Sequence, residues 1–355
     1  MKRAGLRISA IGIMAVLTAV LSFTVARACT SIFWNNNSQA KLIARTMDFP
    51  FSDTPMIYVF PKGMKKKGMS GDSNSATWTS QYGSVVVSSF GDIYMSADGV
   101  NTAGLSFHGQ WLLATQYPAR DLTKPGVLEG RYGEFLMDNA ATVSEALTLI
   151  QNYQVVPEQL DGQSLPIHLA IEDATGDSAV IEWVGGQMNI YHGSAWNTTV
   201  LTNDPELPEQ LYILNEYEYF GTGGANPLLG DVSPWGRFAR ASAFLKTLPE
   251  PASPAEAVSY LLSAIRSCTT APGSGWYYTP PSTNAWTAAS PTLWTVVYDL
   301  SHGMIYFQHI DPANDFQINM NRLNFRGKKP LYLNATAPGV IGDVTRQFKV
   351  YNGPF

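Results

Sequence analysis

The sequence predicts an α+β chain in which strands from both ends share one sheet and helices pack over it. Runs with β-like alternation lie toward the two ends, whereas apolar residues recur with helical periodicity between them. The composition is 45% hydrophobic and only 14% charged, which suits one large layered core. We therefore expect residues 29–355 to form a single domain.

Two predicted hairpins support this fold class. Strands over 30–34 and 41–46 flank Asn35-Asn36-Asn37, a polar stretch typical of a tight turn. Strands over 294–300 and 304–309 flank Ser301-His302-Gly303 in the same way. The remaining predicted strands cover 56–60, 83–89, 93–96, 167–171, 179–184 and 199–202.

Helices are predicted over 132–137, 143–150, 206–217, 237–245 and 254–265. Ser253 suits the N-cap of the last of these, because Pro254 then occupies the first helical turn, where its missing N–H costs nothing.

The first 28 residues have the pattern of a secretory signal peptide. A basic start precedes an uncharged apolar run over 8–25, and Ala26-Arg27-Ala28 forms a small-x-small cleavage site. Such a signal peptide would direct export, to the periplasm on our interpretation. Its cleavage at this site would leave no membrane anchor. It would also make Cys29 the first residue of the mature chain, with a thiol and a basic α-amine on one residue.

Three other interpretations of this segment remain open. The apolar run is near the lower length limit for a membrane anchor. Cys29 resembles a lipid acceptor, although Arg27 breaks the usual pattern of small uncharged residues. Cys29 and Cys268 are the only cysteines, and an exported compartment would permit a disulfide between them.

Several classes of function are disfavoured by composition and motifs. The formal net charge of −5 argues against a nucleic-acid partner, and Lys65-Lys66-Lys67, flanked by glycines, is predicted to be a solvated loop tip. The five histidines show no H-E-x-x-H spacing, residues 221–224 do not fit a phosphate loop, and no G-x-S-x-G motif occurs. We expect no metal and no cofactor, which leaves Cys29 as the strongest candidate nucleophile.

Five short motifs occur in order along nearly all of residues 29–355. They are Cys29-Thr30, Ala44-Arg45-Thr46-Met47-Asp48-Phe49, Ala97-Asp98-Gly99-Val100-Asn101-Thr102-Ala103-Gly104-Leu105, Leu201-Thr202-Asn203-Asp204-Pro205 and Gly230-Asp231-Val232-Ser233-Pro234-Trp235-Gly236-Arg237-Phe238. Together they resemble the choloylglycine hydrolase family, which includes penicillin V acylases and conjugated bile-salt hydrolases. These enzymes use an N-terminal nucleophile.

The resemblance implies a four-layer αββα sandwich of two antiparallel sheets between helical layers. It also implies a catalytic set at Cys29, Arg45, Asp48, Asn203 and Arg237. In this set Asp48 would hold the α-amine, the two arginines would favour the thiolate, and Asn203 would donate to the oxyanion. Asp98, Gly99 and Asn101 are assigned to a turn, and Cys268 to core packing.

The substrate is less well specified by the sequence. Trp111 stands where bile-salt hydrolases carry an Asn, and Phe49 follows the catalytic Asp, which resembles the Gram-negative penicillin V acylase branch. With Met47 and Phe107, these residues would line an acyl pocket.

The favoured function is hydrolysis of small-molecule amides, penicillin V or N-acyl homoserine lactones. Conjugated bile salts are the alternative substrates. An exported binding or envelope protein with a lipidated or disulfide-bonded Cys29 is the alternative outside enzymes. A homotetramer is expected, because relatives commonly form one.

Overall fold

The computed structural model describes residues 29–354 apart from 51, 70, 158, 161–162, 194–198, 217–226, 277–286 and 289. The predicted signal peptide, the end of the predicted helix 206–217 and residues 221–224 therefore lie outside the described residues. Within the described ranges, no helix combines the length and apolarity that a membrane span requires.

The strands in the first half of the chain are β1 (Thr30–Trp34), β2 (Leu42–Asp48), β3 (Met56–Phe60), β4 (Lys65–Lys67), β5 (Thr77–Thr79), β6 (Ser84–Ser88), β7 (Ser96–Asn101), β8 (Ser106–Trp111), β9 (Gly126–Leu128), β10 (Gln154–Val156), β11 (Gln159–Leu160), β12 (Gln163–Ser164) and β13 (Ile167–Glu172). Those in the second half are β14 (Ser178–Val184), β15 (Gln187–His192), β16 (Val200–Leu201), β17 (Gly275–Trp276), β18 (Thr287–Ala288), β19 (Thr292–Asp299), β20 (Met304–His309), β21 (Asn314–Asn319), β22 (Leu331–Asn334), β23 (Gly342–Asp343) and β24 (Lys349–Val350). The helices are α1 (Glu129–Asn139), α2 (Val143–Asn152), α3 (Leu207–Glu216), α4 (Pro234–Thr247) and α5 (Pro254–Arg266), with a 3₁₀ turn at Met320–Arg322.

The first sheet joins the two ends of the chain, as predicted. Its order is β16-β1-β2-β19-β20-β21-β23, so the N-terminal hairpin β1–β2 lies beside the C-terminal hairpin β19–β20. Both hairpins form at the predicted turns. The second sheet has the order β15-β14-β13-β8-β7-β6-β3-β22-β24, and its paired strands are antiparallel.

Three apolar clusters define four layers. One cluster, which includes Phe33, Val85 and Trp294, fills the space between the two sheets. A second packs α1 and α2 on the outer face of the second sheet, and a third packs α4 and α5 on the outer face of the first sheet. The predicted αββα sandwich is therefore confirmed.

Capping side chains explain where the two helices over the first sheet begin. The Ser253 side chain accepts a hydrogen bond from Glu256 N at the start of α5, with Pro254 in the first turn. Ser233 caps α4 in the same way, so this helix begins three residues before the predicted start. The extra turn matters because it fixes Arg237 on the side of α4 that faces the first sheet.

The sequence interpretation of residues 93–101 was wrong. Of the predicted strand 93–96, only Ser96 is in a strand, and β7 includes Asp98, Gly99 and Asn101, which the sequence predicts in a turn. Strand β8 was not predicted, because His108 and Gln110 interrupt its apolar pattern. Both side chains are buried in the sandwich and hydrogen-bonded there, so polarity did not mark exposure.

The interpretation of the lysine run was also wrong. Residues 65–67 form the strand β4, and Lys66 is buried while its two neighbours are exposed. Lys66 Nζ lies 2.6 Å from Glu134 Oε1 and 2.8 Å from Asp138 Oδ2, both on α1. Strand alternation turns one lysine of the three inward, where these acids neutralise it.

Candidate active site

Cys29 lies immediately before β1 at the edge of the apolar layer between the sheets. It is only 3% exposed and lines a cavity that opens to solvent. The β1–β2 register pairs Thr30 with Thr46 and Ser31 with Arg45. The end of β2, which carries the predicted catalytic pair Arg45 and Asp48, therefore lies beside Cys29.

Arg45 is fully buried and reaches from the first sheet to the second. Its Nη2 lies 3.8 Å from Cys29 Sγ and donates to the carbonyl of Gly109 at 2.8 Å. Its Nε lies 3.1 Å from Asp98 Oδ2, and its guanidinium carbon lies 4.8 Å from the centre of the Trp294 ring. Burial lowers the pKa of Arg45, but Asp98 and the other neighbouring acidic groups outweigh it, so Arg45 remains charged.

Arg237 approaches Cys29 from α4 on the opposite side. Its Nη1 donates to the Cys29 carbonyl and to Thr30 Oγ1, both at 2.6 Å. Its Nη2 donates to Asn203 Oδ1 at 3.3 Å, and its Nε to the Val232 carbonyl at 3.1 Å. The helix thus fixes the backbone on which the thiol is carried.

Asn203 follows β16 and is buried between Arg237 and β8. Its Nδ2 donates to the Trp111 carbonyl at 2.9 Å, while its Oδ1 accepts from Arg237. These two contacts fix the orientation of the amide, and they use one of its two N–H groups.

Asp48 is also fully buried, at the end of β2. Arg237 Nη1 is 4.0 Å from Asp48 Oδ2, which is beyond hydrogen-bonding distance. Within the described part of the chain, neither carboxyl oxygen accepts a well-formed hydrogen bond. Burial raises the pKa of Asp48 to about 7, although Arg237, Arg45 and the nearby hydroxyls of Thr292 and Thr46 act to lower it.

The thiol of Cys29 is in an environment with opposing effects. Burial raises its pKa above the ordinary value of 9.0, whereas Arg45 and Arg237 act to lower it. The expected thiolate-favouring field of the arginines is present, but the burial effect is larger. The proton must therefore be removed by a base when the sulfur attacks.

The cavity at Cys29 has mostly apolar walls. Met47, Phe49 and Trp111 line it, as the sequence predicted. Phe90 also lines it, 41% exposed and in edge-to-face contact with Phe49 at a ring distance of 5.6 Å. Phe90 lies in a turn with φ of 60°, and nothing in the local sequence pattern predicts its approach to Phe49.

Phe107 does not line this cavity, so its predicted pocket role was wrong. It shares a strand face with Trp111, but it lies four residues earlier in β8, about 13 Å away at strand spacing. There it packs in the apolar cluster under α1, close against Gly133. A Cβ at Gly133 would lie 2.0 Å from the Phe107 ring, which explains the glycine.

The disulfide alternative is also excluded, because Cys29 and Cys268 are both free thiols. Cys268 is buried in the apolar cluster between the first sheet and its helices, as expected for a packing residue. Among the described residues, no group of three or more His, Cys, Asp or Glu side chains is arranged to hold a metal ion.

Residues 29–333 match the model of the linear amide C–N hydrolases of the choloylglycine hydrolase family. The chain belongs to this family. It is a linear amide C–N hydrolase with the fold of N-terminal-nucleophile hydrolases.

Two relatives with named activities are similar in sequence to this chain. The chain is 30% identical over 335 residues to a penicillin V acylase of Pectobacterium atrosepticum, covering 88% of this chain and 86% of that protein. It is 26% identical over 195 residues to a bile salt hydrolase/transferase of Clostridium perfringens, covering 53% and 57%.

Solved structures of family members agree with the fold. The penicillin V acylase of Agrobacterium tumefaciens superposes with a TM-score of 0.78 at 29% identity, covering 91% of this chain and 98% of that one. A variant of the conjugated bile acid hydrolase of Clostridium perfringens superposes with a TM-score of 0.69 at 21% identity, covering 88% and 98%, which supports the fold alone.

Proposed function

We propose that this hydrolase removes the acyl side chain of penicillin V or of N-acyl homoserine lactones, with Cys29 as nucleophile and its own α-amine as base. The observation that carries this proposal is the buried carboxyl of Asp48, whose oxygens lack well-formed hydrogen bonds within the described residues. Cleavage after Ala28 would supply an amine whose N–H groups satisfy such an acceptor.

The reaction then proceeds in two halves. The α-amine takes the thiol proton, and the sulfur attacks the amide carbonyl carbon. The oxyanion accepts a hydrogen bond from the second Nδ2–H of Asn203. Collapse of the tetrahedral intermediate breaks the C–N bond, and the departing amine takes the proton. Water then hydrolyses the thioester, which releases the acid and restores the thiol.

The cavity supports the choice of acyl group. Met47, Phe49, Phe90 and Trp111 give it apolar walls beside the Cys29 thiol, as a small-molecule site requires. A phenoxyacetyl ring and an alkyl chain both gain from contact with such walls. The identity of 30% with a penicillin V acylase over most of the chain supports the same substrate class.

A substrate panel tests this proposal. We expect the chain that begins at Cys29 to hydrolyse penicillin V or acyl homoserine lactones, and Cys29→Ser to retain at most a trace of turnover, because a hydroxyl is the weaker nucleophile. Hydrolysis of glycocholate with no hydrolysis of penicillin V or the lactones would instead make this a bile-salt hydrolase.

The acyl wall can be tested at Trp111. Trp111→Ala removes a large apolar contact worth about 1 to 3 kcal/mol, which is roughly a ten- to hundredfold loss in kcat/KM on long or aromatic acyl substrates. An acetyl amide should lose far less, because it does not reach the wall.

Phe107→Leu is the matched control for Trp111→Ala. Phe107 lies on the same strand face but packs under α1, so its substitution should affect stability and leave acyl selectivity unchanged. Equal losses of Trp111→Ala on both substrate classes would show that Trp111 only packs the scaffold.

We also propose that the first 28 residues direct export to the periplasm and are removed, and that the mature enzyme is a homotetramer. Intact mass of protein recovered from the periplasmic fraction tests the first statement. Light scattering of that protein tests the second.

A further inference from the structure

A line of four charged side chains crosses the space between the two sheets. Arg45 Nε lies 3.1 Å from Asp98 Oδ2, and the same oxygen lies 2.9 Å from His108 Nδ1. His108 Nε2 lies 3.2 Å from Glu172 Oε2. The side chains of all four residues are between 0% and 6% exposed. We call this set the relay line.

Strand pairing in the second sheet builds the relay line. Asp98 on β7 pairs directly with His108 on β8, and Glu172 on β13 pairs with Ser106, two residues before His108. Ser106 Oγ donates to Glu172 Oε2 at 3.1 Å. The alternate residue Phe107 packs toward α1, so these polar side chains face the first sheet and Arg45.

His108 lies between two carboxylates. Its Nδ1 is hydrogen-bonded to Asp98 Oδ2 at 2.9 Å, and its Nε2 lies 3.2 Å from Glu172 Oε2. The imidazolium is the form of the ring that carries an N–H toward both carboxylates. Burial lowers the pKa of His108, but Asp98 and Glu172 outweigh it and raise the pKa to about 9. The other group that faces the ring is Tyr298 on β19, at a ring distance of 5.8 Å, and burial keeps it neutral by raising its pKa well above 10.

The relay line ends at the candidate nucleophile. Arg45 Nη2 is 3.8 Å from Cys29 Sγ, and within the described residues Arg45 Nη1 has no hydrogen-bond partner. The Gly109 carbonyl, which accepts from Nη2, and the carboxylate of Asp98, which pairs with Nε, are the two oxygen partners that hold the guanidinium. Buried ion pairs seldom add stability over an apolar core, and this line ends at a reactive thiol, so its charges can act on the nucleophile.

We propose that Asp98, His108 and Glu172 are positioning residues that hold Arg45 against the thiol of Cys29. This inference rests on the proposed role of Cys29 as nucleophile. With the imidazolium in place, two positive and two negative charges balance along the line. Without it, the two carboxylates outnumber Arg45, and the positive field at the thiol falls.

The test is the pH dependence of Cys29 alkylation by iodoacetamide, followed by peptide mass mapping so that Cys268 is scored separately. It requires no amide substrate. His108→Gln should react about tenfold more slowly at pH 7, because the thiolate fraction falls tenfold for each unit by which the thiol pKa rises. The double variant His108→Gln/Glu172→Gln restores the charge balance and should recover most of the parent rate. In turnover, His108→Gln should lower kcat more than it changes KM.

His168→Gln is the matched control. His168 and Glu182 form a second buried pair on the same face of the same sheet, with Nδ1 3.0 Å from Oε1, but neither contacts Arg45 in the described structure. His168→Gln should leave the alkylation profile of Cys29 unchanged. Equal effects of the two substitutions, or no effect of His108→Gln, would overturn the proposal.

Glu172→Gln keeps the test decisive if His108→Gln fails to fold, as judged by circular dichroism. His108 then loses one of its two carboxylates, and its titration should add a step to the alkylation profile between pH 6.5 and about 9. The absence of that step would contradict the relay line. The two proposals can fail separately. If the parent protein hydrolyses no amide but the alkylation rates of Cys29 change as described, the proposed function is wrong and the role of the relay line is still supported.

Discussion

Two buried clusters of charge lie on opposite faces of the second sheet. The relay line occupies the inner face. On the outer face, Lys66 of β4 contacts Glu134 and Asp138 of α1, and Arg131 lies 3.1 Å from Glu134 Oε2. We call Lys66, Arg131, Glu134 and Asp138 the flap cluster. Each cluster contains two cations and two carboxylates, and each is almost fully buried.

The clusters differ in what they touch at their ends. The flap cluster ends on atoms of the scaffold, since the Trp78 indole N–H donates to Asp138 and Arg131 donates to the Lys67 carbonyl. The relay line ends at the Cys29 thiol. A shifted pKa does not distinguish the two clusters, because burial raises the pKa of Asp138, in the flap cluster, to about 6. Buried charge therefore marks a catalytic role only where it contacts a reactive group.

The largest expected effect is a loss of turnover caused by a substitution in the relay line. Arg45→Lys keeps the charge but loses the planar fork, so one ammonium cannot contact Asp98, Gly109 and the thiol together. We expect kcat/KM for the best substrate to fall by about a hundredfold or more. Arg322→Lys, at an exposed pair with Asp343, is the control and should match the parent. If Arg45→Lys hydrolyses this substrate at the parental rate, Arg45 has no catalytic role at the site.

In the flap cluster the expected effect is on stability. Lys66→Met leaves Glu134 and Asp138 without their shared cation, which should cost about 3 kcal/mol in the free energy of unfolding. The folded fraction of the Lys66→Met protein should hydrolyse the substrate at the parental rate. Lys65→Met, at the exposed neighbour on β4, should change stability by less than about 0.5 kcal/mol. Loss of turnover in a fully stable Lys66→Met protein would contradict the distinction between the clusters.

The smallest effect is a pH dependence of stability that arises from His108. Its pKa is raised to about 9 in the folded state, so its contribution is fully present below about pH 6.5 and is lost as the pH rises through 9. Urea unfolding of the parent should show this loss, on the order of 1 to 3 kcal/mol, and His108→Gln should show a flatter profile over the same range. Identical slopes in both proteins would mean that His108 is not charged when folded.

Local patterns predicted the part of the fold that depends on neighbouring residues in the chain. The β1–β2 and β19–β20 hairpins and the start of α5 follow from turn residues and a cap, and their positions were correct. The placement of Arg45 and Asp48 beside Cys29 follows from the first hairpin. Arg237 and Asn203 were identified through the family motifs, because their approach to Cys29 depends on packing between distant segments.

The errors have one physical cause. Asp98, His108 and Lys66 are polar residues that the fold buries with partners far away in sequence, so local polarity indicated turns and surface where there are strands and core. Phe107 and Trp111 share a strand face, but Phe107 packs in the cluster under α1 whereas Trp111 lines the cavity. These long-range contacts are visible only in the assembled sandwich.

The central claim is that the amine and thiol of one residue act together at Cys29. It is tested most directly by comparing two folded proteins of known intact mass, one that begins at Cys29 and one that retains a short extension before it. The account predicts that the first hydrolyses penicillin V or an acyl homoserine lactone and that the second is nearly inactive. Equal turnover by the extended protein, with its mass confirmed after the assay, would contradict the mechanism.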